Sequence, residues 1–142
     1  MFAPVRGAIF VSMIVTLGAF SGCGGGGGGG SISADSGGGT ALPARILQWE
    51  APKEYSDATP MNPQTDLDRF EIYVNESGSF DDMAVPRAIL SAVNPETRQL
   101  TTSFNLADIV DLSIGHHYWV SLRVVARTGL KSEFSLPFSF SF

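Results

Sequence analysis

Seven consecutive glycines, Gly24–Gly30, divide this 142-residue chain into parts of unlike chemistry. Glycine has no side chain to bury, and it loses more backbone freedom on ordering than any other residue. Such a run behaves as a flexible coil. Ser31–Thr40 continues it with more Ser and Gly. The part able to build a core is therefore residues 41–142, about 100 residues, which suits a single domain. A phosphate-cradling role for the glycines is excluded by context. No strand pattern precedes them, and no Gly-Lys-Ser/Thr or helix start follows.

The residues before the glycines read as an export signal. Met1–Arg6 ends in one positive charge, and Ala8–Phe20 is apolar with no charged residue. That run is shorter than the roughly 20 residues of a membrane-spanning helix. A positive start, an apolar stretch and then small residues form the export pattern. Phe20-Ser21-Gly22-Cys23 then resembles the bacterial lipobox, with Phe20 where the family usually has Leu. The resemblance implies a signal peptide over 1–22, cleavage before Cys23, and acylation of Cys23. Residues 23–40 become a lipidated cysteine and its tether. Each buried methylene of the acyl chains contributes about 0.8 kcal/mol to membrane attachment. Gly24 stands where an Asp would imply retention in the inner membrane, so the resemblance points to the outer membrane of a bacterial envelope.

Composition removes some alternatives. The chain carries 14 acids, nine bases and a net charge of −5. Losing Arg6 with the signal leaves eight bases, scattered from Arg45 to Lys131. Duplex binding relies on clustered Lys and Arg that neutralise phosphates, so no nucleic-acid partner is expected. One cysteine excludes an intramolecular disulfide.

From Ala44 onward the apolar residues alternate with period two, the signature of half-buried strands. Arg45–Glu50 puts Leu47 and Trp49 on one face, and Ala51-Pro52 stops the strand. Lys53–Asp66 is a polar loop. Arg69–Asn75 turns Phe70, Ile72 and Val74 inward, with Glu71 and Tyr73 outward. Glu76–Ser79 is a turn. Met83–Val93, interrupted by Pro86, reads as an edge strand. Thr101–Leu106 points Phe104 and Leu106 inward, and Ala107–Ile114 is a connection with one helical turn. His117–Ala126 is the longest strand, with Tyr118, Val120, Leu122 and Val124 on one face. Glu133–Phe142 closes the chain with Phe134, Leu136, Phe138, Phe140 and Phe142 on one side. Short strands at this spacing predict an all-β antiparallel sandwich.

Four segments, in order, resemble the fibronectin type III family. They are Leu47-Gln48-Trp49-Glu50-Ala51-Pro52, Leu67–Tyr73, Leu112–Val120 and Lys131–Ser135. Departures occur at Asp68 and Arg69, at Ile114 where the family has proline, and in a longer connection after Phe104. No first strand is visible in Gly39–Pro43. The resemblance covers Ala44 to about Pro137. It implies an immunoglobulin-like sandwich over 41–142 whose core holds Trp49, Phe70, Ile72, Phe104, Tyr118, Val120, Leu122 and Phe134. It also implies a Tyr118 hydroxyl bonded to backbone in the preceding corner, and adjacent strands for Tyr73 and Trp119.

No constellation for catalysis emerges. His116 and His117 are adjacent, so on a strand they face opposite ways and cannot jointly grip a metal. Asp81-Asp82 and Asp66-x-Asp68 lack the spacing of a calcium loop. No Gly-x-Ser-x-Gly elbow occurs. The expectation is a non-catalytic module with no cofactor and no metal site. The candidate binding surface is an outward strip of Tyr73, Trp119, Arg123, Glu71 and His117, since Trp, Tyr and Arg favour interfaces. Its expected partners are an envelope protein or, alternatively, a polysaccharide, with the membrane engaged through acylated Cys23.

Overall fold

The computed structural model describes residues 41–142; the expected signal segment, Cys23 and the expected tether lie outside the described residues. Alternating apolar residues produce six strands: β1 (Ile46–Gln48), β2 (Leu67–Asn75), β3 (Ala88–Ser91), β4 (Ser103–Asn105), β5 (His117–Ala126) and β6 (Phe138–Ser141). They form two antiparallel sheets. One pairs β1 with β4; the other runs β3-β2-β5-β6. Among the described residues no strand precedes β1.

The two sheets meet through a single core. Leu47 and Trp49 come from the β1 side; Phe70, Ile72, Val74, Tyr118, Val120, Leu122 and Val124 come from β2 and β5. All are buried, and the Trp49 and Phe70 rings touch at 5.2 Å between centroids. Phe104 is half-buried against this cluster, while Leu106 beside it is fully buried. β1 is only three residues long, although the Trp49 N–H still donates to the Thr102 carbonyl, so this sheet is much smaller than its partner.

Local chemistry sets the element boundaries. The loop expected over Lys53–Asp66 ends in a helical turn, α1 (Pro63–Asp66). Asn62 caps it: its side chain accepts from the Gln64 N–H, while Asp66 reaches back to accept from the Asn62 N–H at 2.8 Å. This reciprocal arrangement satisfies two otherwise orphaned donors. Pro63 needs no donor at the first helical position. β3 lies at the sheet edge, as Pro86 implied, and a 3-10 turn, Leu106–Asp108, follows β4.

The Tyr118 hydroxyl accepts from the Ser113 N–H at 3.1 Å. It therefore ties β5 to the connection five residues upstream, as the resemblance implied.

The closing segment departs from the expected strand. β5 and β6 hold one register from His117↔Ser141 to Val120↔Phe138. Beyond Pro137 the register slips by one residue at Ser135 and again at Ser132. Ser135 N–H donates to the Leu122 carbonyl, and Leu122 N–H donates to the Ser135 hydroxyl at 3.0 Å. Ser132 does the same with Val124, also with a 3.0 Å bond to its hydroxyl. Each serine hydroxyl stands in for a backbone acceptor, so no β5 donor is stranded by the slip. One consequence corrects the core assignment. Phe134 does not join the layer between the sheets; it lies on the outer face of the larger sheet, against Tyr73. Leu136 is likewise turned to solvent, whereas Phe140 is buried in the core.

Two substitutions separate volume from hydrogen bonding. Trp49→Ala empties the centre of the core and should cost about 3–5 kcal/mol. Tyr118→Phe keeps the volume and removes only the corner bond, about 1 kcal/mol. Urea unfolding followed by circular dichroism should rank them in that order.

Candidate functional site

The expected strip is contiguous. β2 and β5 pair Glu71 with Arg123, Tyr73 with Ser121, and Asn75 with Trp119. Residues opposite one another share a face, so Glu71, Tyr73, Trp119 and Arg123 lie together on the outer side of the larger sheet. His117 extends the row at its end and is exposed.

The strip is not open, and this corrects the expectation that Glu71 and Tyr73 face solvent. Glu71 and Tyr73 are each 2% exposed. Two segments cover them: the loop after β2 and residues 131–136, displaced outward by the serine slips. Phe134 meets the Tyr73 ring edge-on at 5.0 Å, and Phe80 packs on Phe134 at 5.8 Å. The Arg123 guanidinium sits 4.5 Å above the Phe134 ring, a cation–π contact. That guanidinium also donates to the Ser132 carbonyl and to Asp82, each at 2.7 Å.

Beneath this cover Glu71 is a buried carboxylate with three donors. It accepts from the Tyr73 hydroxyl at 2.6 Å, the Lys131 ammonium at 2.9 Å and the Arg69 guanidinium at 3.0 Å. Burial alone pushes its pKa up. The bonds from Tyr73, Lys131 and Arg69 outweigh burial and hold it below the ordinary 4.5. Tyr73 is pushed up to about 12, first by burial and then by the bond and charge of Glu71. Neither group is poised to exchange a proton near neutral pH. Alternation correctly put these residues on one face; it carried no signal that Phe134 would leave the core to cover them.

Trp119 remains half-buried. Its indole closes over Gly78, where an added Cβ would meet ring carbon at 3.0 Å. Gly78 also has φ +74°, and its N–H donates to the Asn75 side chain at 2.8 Å. His117 stands edge-on to Trp119 at 5.9 Å. His116 turns apart from it and bonds Glu76 at 3.1 Å.

Three acids of the Asp66-x-Asp68 and Asp81-Asp82 pairs are engaged locally. Asp66 caps α1, Asp68 pairs with Arg69, and Asp81 accepts from the Met83 N–H. Among the described residues no group of three His, Cys, Asp or Glu converges as a metal site would. An open groove of about 480 Å³ lies beside Trp49, lined also by Gln48, Lys53, Pro63 and Leu100. Its rim charges, Glu50 and Lys53, are paired to each other at 2.6 Å. The strand pattern had not marked this groove, because it is made where β1 ends and the polar loop begins.

Two expectations follow from this geometry. Gly78→Ala forces a left-handed alanine against the indole and should cost about 1–2 kcal/mol from the backbone alone, with a shift in tryptophan emission. Glu71→Gln removes the charge that Lys131 and Arg69 address, at a cost of about 1–3 kcal/mol at neutral pH. Because the folded pKa of Glu71 is depressed, its contribution is present above the unfolded value and is lost as pH falls through the folded one. Wild-type stability should therefore decline below about pH 4.5 more steeply than that of Glu71→Gln. Urea midpoints measured from pH 7 to pH 3 read this difference.

No protein-family model matches the chain, and no curated protein matches it either.

Proposed function

We propose that the chain is a lipid-anchored module of fibronectin type III type in a bacterial envelope. It acts by binding or spacing and carries out no chemistry of its own. The acyl group on Cys23 holds the protein at the membrane, the glycine run gives reach, and residues 41–142 present a rigid surface. The observation that carries this reading is how completely the ionisable side chains of the larger sheet are spent on one another. The pairs Lys131–Glu71 and Arg123–Asp82 bind the covering segments to the sheet, and Arg69 joins Glu71 within β2. A catalytic group needs a cleft that admits a reacting partner, and Glu71 has Tyr73 and Phe134 packed around it instead.

Support for the fibronectin type III assignment comes from three places. The strands of Tyr73 and Trp119 are neighbours, Trp49 anchors the core, and the Tyr118 hydroxyl closes the corner before β5. The polysaccharide alternative draws no such support. Sugar stacking needs open aromatic faces, yet Tyr73 is buried and Trp119 is folded onto Gly78. A protein partner is the better fit.

Mass spectrometry of the mature terminus tests the anchor. A diacylglyceryl-modified Cys23 at the new terminus is expected, and a free thiol overturns the anchor. Cys23→Ala should move the protein from the membrane fraction to the soluble fraction of lysed cells.

A further inference from the structure

A buried tryptophan ordinarily hands its indole N–H to an acceptor, because that group only donates and loses its water on burial. Trp49 does not. It is 4% exposed, and its Nε1 has no hydrogen-bond partner among the described residues. The ring itself is well placed, packed on Phe70 in the core. The Tyr118 hydroxyl, the polar tip of another residue of that core, is bonded at the corner before β5. Buried polar groups left without a partner are uncommon enough that each calls for a reason.

Trp49 is also a wall of the open groove of about 480 Å³ at the end of β1. Ala51 and Pro63 enter this groove from the two ends of the connection between β1 and β2. Leu100 and Thr102 enter it from the run into β4, where the Trp49 N–H donates to the Thr102 carbonyl at 3.0 Å. Ala51, Pro63 and Leu100 make the lining apolar, and exposed Gln48 and Thr102 add uncharged polar groups. The two ions that line it, Glu50 and Lys53, pair with each other and cancel. A concave, mostly apolar wall with a few polar groups is the usual make-up of a binding site.

We infer that this groove binds an extended, uncharged stretch of a partner polypeptide, one of whose backbone carbonyls accepts from the Trp49 indole. The inference rests on the reading of the domain as a protein-binding module, and it names the site. Three features choose the occupant. The lining ions cancel, so no side chain there answers a net charge. The orphaned group is a donor, so the occupant carries an acceptor within an apolar body, which a bare acyl chain does not. The indole is packed on Phe70 and nearly closed to solvent, so it offers no face on which a sugar could stack. A peptide backbone flanked by aliphatic side chains meets all three demands. The chain's own Ser31–Thr40 matches them poorly, with Ile32 as its one large apolar residue and Asp35 within it. Nε1 has almost no exposed surface, so the carbonyl reaches it as a wall side chain moves aside. Lys53 is free to swing: its side chain is 77% exposed, and its pairing with exposed Glu50 holds it weakly.

The chain holds two tryptophans, so its indole N–H resonances give the site and a control in one spectrum. The probe is a library of end-blocked hexapeptides of Ala, Val, Leu, Pro and Thr, added to the full mature chain in detergent with isotope-labelled tryptophan. The Trp49 indole proton should move downfield, as a newly made hydrogen bond requires, while that of Trp119 stays. Thr102→Lys, at an exposed wall position, should weaken the response several-fold and leave the urea midpoint unchanged. In intact cells, benzoylphenylalanine in place of Gln48 should crosslink to an uncharged stretch of another protein, and in place of exposed Ser79 it should not. A Trp49 resonance that ignores the library overturns the proposal. So does an equal movement with cello-oligosaccharides, or a Gln48 crosslink confined to a second copy or to residues 31–40 of the same chain. A protein captured from Ser79 while Trp49 stays silent keeps the binding reading and overturns the groove. None of these readouts involves the acyl group, so a failed anchor is told apart from a failed groove.

Discussion

The antiparallel pairing of β2 with β5 is the constraint on which the remaining structure depends. It is the longest ladder among the described residues, holding one register from Arg69↔Val125 to Asn75↔Trp119 after an irregularity between Leu67 and Arg69. Because strand side chains alternate, this one register fills two different environments. On its inner side Phe70, Ile72, Leu122 and Val124 build the core under Trp49. On its outer side Glu71, Tyr73, Ser121 and Arg123 form a floor that is itself covered. A slip of one residue would exchange the two faces. It would place a carboxylate and a guanidinium in the apolar layer and leave Phe70 and Ile72 outside. The cost of that exchange, several buried apolar side chains at roughly 1.5–3 kcal/mol each, is what fixes the register.

The strands were largely legible because burial on the inner side is an apolar requirement that repeats every second residue. His117–Ala126 coincides with its observed bounds, and Tyr118, Val120, Leu122 and Val124 are all buried as that pattern demands. The outer side was not legible in the same way. Alternation distinguishes one face from the other, but it does not say whether the polar face meets water or another part of the chain. Glu71 reads as a solvent residue by type. It is buried because Lys131, some sixty residues later, supplies a counter-charge that no local pattern announces. The same holds for Phe134. Its place in a run of alternating phenylalanines assigns it to the core, and two serine hydroxyls reassign it. A serine can bond a neighbouring backbone donor as readily as water, so sequence alone does not reveal where the ladder gives way to it.

Those serines also explain how a charged cluster is tolerated on a closed face. An isolated buried carboxylate would be neutralised or expelled. Glu71 stays ionised because its oxygens receive a phenol, an ammonium and a guanidinium. The ammonium and the covering ring both come from residues 131–136, which the slips push outward. Backbone irregularity and electrostatics are thus one device: without the two slips, neither Lys131 nor Phe134 would be delivered to β2. The sulfur-free clasp this makes suits a chain whose single cysteine lies outside the domain.

Closing the outer face has a consequence for recognition. A sandwich normally offers a partner two broad sheet faces, its edges and its loop ends. Here the inner faces are core, and the central part of the larger outer face is occupied by the chain itself. Contact is left to the small outer face of β1 and β4 and to the rims: the half-buried Trp119 with exposed His117 at one end, the groove beside Trp49 at another, and the edge of β3. Of these the groove joins an apolar wall to a buried donor that has no partner among the described residues, and so sets a chemical demand on what fills it.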